Sequence, residues 1–359
     1  MNERKYLICL YSFLPFGPAR TKLLISYFGT SEKAWKASRK DLLELGLKQS
    51  IVDNFINYRE KFDEEIYFKK AKDLGVKIIA YGDSDYPNNL NDLDNAPLVL
   101  YVRGNLPDTT GRAIAIVGSR KMTSYGREVA HKLSGELASL GVVIISGLAF
   151  GIDAVSHASA IESGGLTVAV LASGVDIITP SSNTQLGKNI INGHGALISE
   201  YPLGTQPLKT FFPNRNRIIA GLSNGVLVVE GVQKSGTFHT VNAAANYGRQ
   251  VFAVPGPIHS PSSEFPNYLI KNGAKVATSS SDILEELNIT AKLDGIGITS
   301  KPLEKSEKIL LDILASEPLH VDEVARISTL KVDAVSATLT VMELKGIIKN
   351  IGNGVYKKI

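Results

Sequence analysis

The stretch AIAIVGSRKMTSYG, residues 113–126, decides the fold. Its first five residues are apolar, as in a strand buried on both faces, and a glycine and a helix-like pattern follow them. Nucleotide-binding α/β domains begin in this way, but the dinucleotide pattern G-x-G-x-x-G is absent. Gly118, Ser119 and Arg120 stand in its place. We therefore expect an anion site, formed by loop N–H groups, the arginine and the N-terminus of a helix beginning near Thr123 or Ser124.

The rest of the middle region repeats this alternation. Further apolar runs follow at helix-length spacing up to about residue 290: VVIIS, TVAVLA, ALISE, GVLVVE and QVFAVP. Such runs are typical of strands in a parallel sheet covered on both faces. The fold class predicted is α/β, a doubly wound and mostly parallel sheet with ligands at the carboxyl ends of its strands.

The regions on either side have different patterns. Short helical segments separated by glycines come first, and Gly17 and Pro18 suit a helix-hairpin-helix turn. The last segment has the helix, helix, longer helix and two-strand order of a winged helix, and its sparse lysines favour protein docking or weak DNA contact. The predicted divisions are a helical domain (1–75), a doubly wound α/β domain (76–290), a linker (291–302) and a winged-helix domain (303–359).

Composition limits the class of protein. The 359 residues carry a formal net charge of only +4, so any anion binding must come from local clusters. A single cysteine, Cys9, excludes an intrachain disulfide and a cysteine-rich metal site. The start of the chain lacks a secretory pattern, and no apolar run approaches the length of a membrane span. We expect a cytoplasmic protein without metal or cofactor and without membrane contact.

A basic and aromatic cluster lies in PLKTFFPNRNRIIAGLS, residues 207–223. Lys209, Arg215 and Arg217 fall within nine residues that contain no acid, with Phe212 and Asn216 among them. Cations for phosphates and ring faces for unstacked bases are what a single-stranded DNA site needs. The alternative places the phenylalanines in the core and the cations on a solvated helix face.

Two other glycine-containing turns follow strands. Gly147 permits a close backbone bend and is predicted to be among the residues that bind phosphate or single-stranded DNA. Asp153 and His157 lie one helical turn apart beyond it. They form either an acid–base pair or a helix N-terminal acid with a structural histidine; the absence of a nearby nucleophile favours the second.

The second turn, GVQKSGT, opens a helix after the strand GVLVV. Lys234, Ser235, Gly236 and Thr237 suit a phosphate there, although the P-loop pattern is not matched. The alternative is a hydroxyl N-cap without ligand.

Taken in order, GSRKMTSYG, SGLAFGIDAVSHASA, VAVLASGVDIITP, LISEYPLGTQPLKTFFPNRNRIIAGLS, VLVVEGVQKSGT and GRQVFAVPG resemble the DNA-processing protein DprA (Smf) family. The resemblance implies a helical SAM-like domain at residues 1–75 and an extended Rossmann-like domain that binds single-stranded DNA at residues 76–290. It implies a homodimer, formed through the Rossmann domain, that binds and protects incoming single-stranded DNA. It also implies that the protein loads the recombinase RecA during natural transformation and homologous recombination, and is not an enzyme. By motif, Arg120 would hold phosphate, Lys209 and Phe212 would contact backbone and base, and Ser235 to Thr237 would line the same pocket.

Departures from the family pattern leave alternatives open. Phe238 and His239 follow the GT pair, Phe265 replaces a usual glycine, and Thr179 precedes Pro180 where tyrosine is usual. The competing hypotheses are a nucleotide-processing, N-glycosidase-like enzyme and a nucleotide-sensing module of the same superfamily. The enzymes of that superfamily place a catalytic glutamate after GT, where this chain has no acid.

Overall fold

The computed structural model describes residues 2–91, 93–233, 235–289, 305–315, 317–328, 330–344, 348–352 and 354–358. The chain divides into two compact units, Met1–Ile296 and Gly297–Ile359. The linker predicted at residues 291–302 lies outside the described residues, and the bounds of the four predicted divisions stay predictions.

The first unit begins with a helical region, as predicted. Glycine and hydroxyl residues separate its helices: Gly29 ends one with φ 84°, and the Thr30 side chain accepts the first N–H bond of the next. Trp35 and Phe55 lie in its aromatic core, with ring centroids 5.5 Å apart. The helices are α1 (Asn2–Tyr11), α2 (Gly17–Phe28), α3 (Ser31–Lys36), α4 (Arg39–Glu44), α5 (Gln49–Lys61) and α6 (Glu64–Asp73).

A nine-stranded sheet forms the centre of this unit, in the order β1-β2-β6-β5-β4-β3-β7-β8-β9. All six apolar runs of the middle region are strands, and the seven strands from β6 to β9 in this order pair in parallel. β1 and β2 extend the sheet with antiparallel pairing. The strands are β1 (Val76–Ala80), β2 (Val99–Gly104), β3 (Ala113–Val117), β4 (Val143–Ser146), β5 (Thr167–Val170), β6 (Gly195–Ser199), β7 (Gly225–Val228), β8 (Gln250–Ala253) and β9 (Lys275–Val276).

Helices cover both faces of the sheet, which explains why its strands are apolar throughout. One face packs against α7, α11, α12 and α13, and the other against α8, α9 and α14. The predicted α/β fold is confirmed. The helices are α7 (Asn88–Asn91), α8 (Ser124–Ser139), α9 (Ile152–Glu162), α10 (Thr184–Asn189), α11 (Phe211–Leu222), α12 (Gly236–Asn246), α13 (Glu264–Lys271) and α14 (Ser280–Glu286).

The strand order reverses direction at β3. The chain builds outward from β3 through β4, β5 and β6, and then returns to place β7 on the other side of β3. In open α/β sheets, ligands bind at the carboxyl ends of the strands beside such a reversal. The loops after β3 and β7 therefore mark the expected position of the site.

The second unit has the elements of the predicted winged helix. Three helices precede a hairpin, and a short strand before the second helix joins the hairpin in a three-stranded sheet. None of the helices in the described part of the chain has the length and apolar character needed to cross a bilayer. The elements are α15 (Lys305–Ile313), β10 (Leu319–His320), α16 (Val321–Ser328), α17 (Val332–Leu344), β11 (Ile348–Asn350) and β12 (Val355–Lys358).

Candidate nucleic-acid interface

A cleft of about 790 Å³ opens at the reversal point of the sheet. The loops after β3 and β7, the start of α9 and the first turns of α11 and α12 line it. These segments lie far apart in the sequence, yet most of the predicted site residues meet there. The predicted residues that line the cleft are Gly118, Ser119, Arg120, Lys209, Phe212, Arg215, Asn216, Ser235, Gly236 and Thr237.

Arg120 and Lys209 supply positive charge at the rim of the cleft. Both are exposed, and neither has an ion-pair partner among the described residues. The Arg120 guanidinium carbon lies 5.3 Å from the centroid of the Phe212 ring, a cation–π contact that orients the guanidinium. A cation and a ring face are thus presented together, and no acid among the described residues pairs with either cation.

The loop after β3 is closely packed, which explains its glycine. A Cβ at Gly118 would lie 2.7 Å from Ile152 Cγ1, and one at Gly151 would lie 2.2 Å from the Ser119 carbonyl oxygen. The loops after β3 and β4 therefore approach each other more closely than side chains permit.

The α8 N-terminus is not free for a ligand, and this corrects the sequence-based expectation. The Thr123 N–H donates to Glu230 Oε2 at 2.9 Å, and the Thr123 hydroxyl donates to the same carboxylate. Glu230 is only 2% exposed, so an internal carboxylate already occupies the positive end of the helix.

The α12 N-terminus is free instead. Ser235 is its N-cap residue, but its side chain makes no capping hydrogen bond, and its buried Oγ has no partner among the described residues. Gly236 is exposed in the first turn, where a Cβ would meet nothing within 4 Å. Open N–H groups, a dipole and an unused hydroxyl are the features that suit a phosphate at a helix N-terminus. Lys234, predicted to lie beside it, falls outside the described residues.

Arg215 lies in the floor of the cleft and holds the framework together. Its guanidinium donates to the carbonyl oxygens of Gly147, at 2.7 Å, and Val170. Burial lowers the pKa of Arg215 to about 10, an effect that the Asp153 charge opposes. Asn216 extends this framework, because its amide donates to the Gly236 carbonyl oxygen at 3.0 Å and so ties α11 to α12.

Gly147 does not line the cleft. A Cβ at this position would lie 2.5 Å from the Arg215 guanidinium, so the glycine admits that group to the backbone. Its predicted contact with phosphate finds no support in this geometry.

His157 has the structural role that the sequence favoured. Its Nδ1 lies 2.6 Å from Thr167 Oγ1, which itself donates to the Ile144 carbonyl oxygen at 2.6 Å. The Thr167 oxygen therefore accepts from Nδ1–H, and Nε2 accepts from the Leu148 N–H at 3.3 Å. Burial, with the Arg215 charge beside it, lowers the pKa of His157 to about 3.

Arg217 is predicted in the cleft but lies on another face of α11. Its guanidinium pairs with the Glu200 carboxylate, and the two side chains are 13% and 6% exposed. Residues two apart on a helix point about 200° apart, so Arg215 and Arg217 cannot face the same cleft.

Sequence reasoning missed several residues that line the cleft. Lys121 and His239 are exposed there, and Pro261 and Ser262 form part of its edge. Lys121 follows Arg120, and His239 lies one helical turn after Gly236, so both positions were accessible to the same reasoning. No sequence pattern near Pro261 and Ser262 indicates that these residues lie at the edge of the cleft.

Two family models match the chain. The model described as DNA recombination-mediator protein A matches residues 77–288, and the DprA winged helix domain matches residues 299–354.

Several known proteins are similar to the chain. DNA processing protein DprA of Bacillus subtilis (strain 168) is 44% identical over 71% of this chain and 89% of its own. Protein Smf of Synechocystis sp. is 32% identical over 97% of this chain and 96% of its own. The crystal structure of Streptococcus pneumoniae DprA superposes with a TM-score of 0.67 and 32% identity, covering 79% of this chain and 97% of that one. The structure of DNA processing protein A of Helicobacter pylori, described with a single-stranded DNA binding mode, superposes with a TM-score of 0.52 and 27% identity. The match covers 59% of this chain and 95% of that one.

Proposed function

Because the chain belongs to the DprA (Smf) family of DNA recombination mediators, we propose that its cleft binds single-stranded DNA during recombination. The Helicobacter pylori relative, which is described as binding single-stranded DNA, supports this proposal. The residues of the cleft also give chemical reasons to expect that it binds single-stranded DNA.

The observation that carries the proposal is the position of Arg120 over Phe212, beside Lys209 and the open α12 N-terminus. The cations and the helix end suit successive phosphates, and the ring suits a base. In a duplex the base faces are already stacked, so an exposed ring gains contact only with an unpaired strand.

The positive charge in the cleft favours the binding of an anion and does not select one nucleotide sequence. Arg120, Lys121 and Lys209 are exposed, while Asp153 is the only acid that lines the cleft among the described residues. Asp153 is buried behind Arg215, and its effect at the rim is small. We expect binding that tolerates different sequences and weakens strongly with salt.

We further propose that the bound strand is protected and passed to the recombinase RecA, and that the chain acts as a homodimer through its sheet-containing unit. Family membership supports both parts. We propose that the protein binds the strand and hands it over without cleaving a bond, and the match to a model of DNA recombination-mediator proteins supports this.

Titration of oligo-dT and of duplex DNA, each with and without RecA, tests this function. We expect a clear preference for the single strand and recombinase assembly that depends on this protein. Equal affinity for the duplex would contradict the cleft assignment, and base release from nucleoside monophosphates would instead support the enzyme alternative.

A further inference from the structure

A second pocket of about 350 Å³ lies between the helical region and the sheet, beside the cleft. The N-terminus of α2, the end of β6 and the first turns of α11 form it. We call it the α2–α11 pocket, and its defining residues are Ala19, Glu200, Tyr201, Phe211, Asn214 and Arg217.

The floor of the α2–α11 pocket has an unused donor and an unused acceptor. Glu200 accepts through Oε2 from both Arg217 and Tyr11, and its Oε1 has no hydrogen bond from a described residue. Arg217 Nη1 is buried and likewise has no partner in the described chain. Buried polar groups are nearly always hydrogen-bonded, so the unpaired Arg217 Nη1 suits an acceptor on a ligand. The unused Glu200 Oε1 suits a donor on the same ligand.

The charges in the pocket argue against a phosphate. Lys22 and Arg217 line it with Asp94 and Glu200, so basic and acidic groups are balanced. Its walls are largely apolar, and the Tyr201 and Phe211 rings stack with centroids 4.2 Å apart and planes 20° apart. A neutral, flat molecule with a donor and an acceptor on one edge matches this lining.

The α2–α11 pocket and the cleft lie on different faces of the first turns of α11. Phe211 and Asn214 line the pocket, whereas Phe212 and Pro213 line the cleft. A strand whose base lies against Phe212 needs to cross only the first turn of this helix to reach the pocket.

We propose that the α2–α11 pocket receives one unstacked nucleobase from the strand that the cleft binds. This inference rests on the proposed function and adds the helical region to the binding path. The Watson–Crick edge of every base carries at least one donor and one acceptor, to pair with Glu200 Oε1 and Arg217 Nη1. The pocket is therefore a base subsite, distinct from the phosphate position at α12.

The test uses a substitution that fills the pocket mouth. Ala19 is exposed on α2 and lines the pocket, so Ala19→Leu narrows it without disturbing the core. Ser26→Leu is the matched control, because Ser26 is exposed on the same helix and does not line the pocket. Both variants are expected to keep the wild-type thermal unfolding midpoint.

The probe is the shortest oligo-dT that reaches full affinity, with one abasic nucleotide moved through every position. Stacking of about 1–3 kcal/mol per base predicts a loss of at least about fivefold for an abasic site at the pocket position. Ala19→Leu should remove the sensitivity at that position only, and Ser26→Leu should retain it. An unchanged abasic profile in Ala19→Leu, or an equal loss at every position, would overturn the inference.

The same measurements separate a failure of the proposed function from a failure of the pocket assignment. If the wild type does not bind the oligonucleotide, the proposed function fails together with the inference. If the wild type binds and Lys209→Ala weakens it, while Ala19→Leu keeps the wild-type profile, only the α2–α11 pocket assignment fails.

Discussion

Acid should destabilise this protein through His157, whose ring is buried and hydrogen-bonded at both nitrogens. Its Nδ1–H donates to Thr167 and its Nε2 accepts from Leu148, so a second proton on the ring would oppose an N–H group. Burial and the Arg215 charge lower the pKa from its ordinary value of 6.5 to about 3. The stabilising contribution of the neutral ring is complete above pH 6.5 and is lost as the pH falls toward 3.

The size of this effect follows from linkage. Each pH unit between the two pKa values costs about 1.4 kcal/mol, so about 2 kcal/mol is lost at pH 5 relative to pH 7.5. Urea unfolding of wild type and His157→Gln between pH 5 and pH 7.5 isolates the contribution of His157. All other titrating groups are present in both proteins, so their effects cancel in the comparison. The difference in unfolding free energy between wild type and His157→Gln should shrink by about 2 kcal/mol as the pH falls from 7.5 to 5.

His131→Gln is the control, since His131 is exposed and pairs only with exposed Glu162. Parallel pH profiles for wild type and His157→Gln would refute the assignment of a buried neutral histidine.

Further predictions concern the framework around the cleft. Asp153→Asn removes a charged acceptor for the loop after β4 and should cost about 1.5–3 kcal/mol in urea unfolding; a change below about 0.5 kcal/mol would contradict this. Gly126→Ala places a Cβ 2.2 Å from Glu230 Oε2 and should displace this carboxylate from the α8 N-terminus. We expect a lower thermal unfolding midpoint, and an unchanged midpoint would argue against the position of Glu230 at this helix end. Arg217→Met leaves a buried carboxylate unpaired and should cost about 3–5 kcal/mol, much of it recovered in the double variant with Glu200→Gln; no recovery would show that the pair is not coupled.

The fold was predictable because its signals are local. Each apolar run of the middle region is long enough for a strand, and a helix follows each one before the next strand. The glycine at 118 and the Ser235 N-cap were visible for the same reason. The antiparallel addition of β1 and β2 was not predicted, because neither strand carries a signal of its neighbour.

The site was predictable in composition but not in the direction of its side chains. Arg215 and Arg217 look equivalent in the sequence, yet the helix turns one toward the cleft and the other toward Glu200. The occupied α8 N-terminus has a similar cause. Thr123 meets a carboxylate 107 positions away, and no local pattern reports such a contact.

The salt dependence of single-strand binding tests the central claim most directly. Affinity for oligo-dT should fall linearly on a double logarithmic plot, and Lys209→Ala should reduce the slope by about 0.7 for the lost phosphate contact. Arg120→Ala should do the same, whereas Lys132→Ala, an exposed lysine of α8 outside the cleft, should leave the slope unchanged. If both cleft variants keep the wild-type affinity and slope, single-stranded DNA does not bind in this cleft.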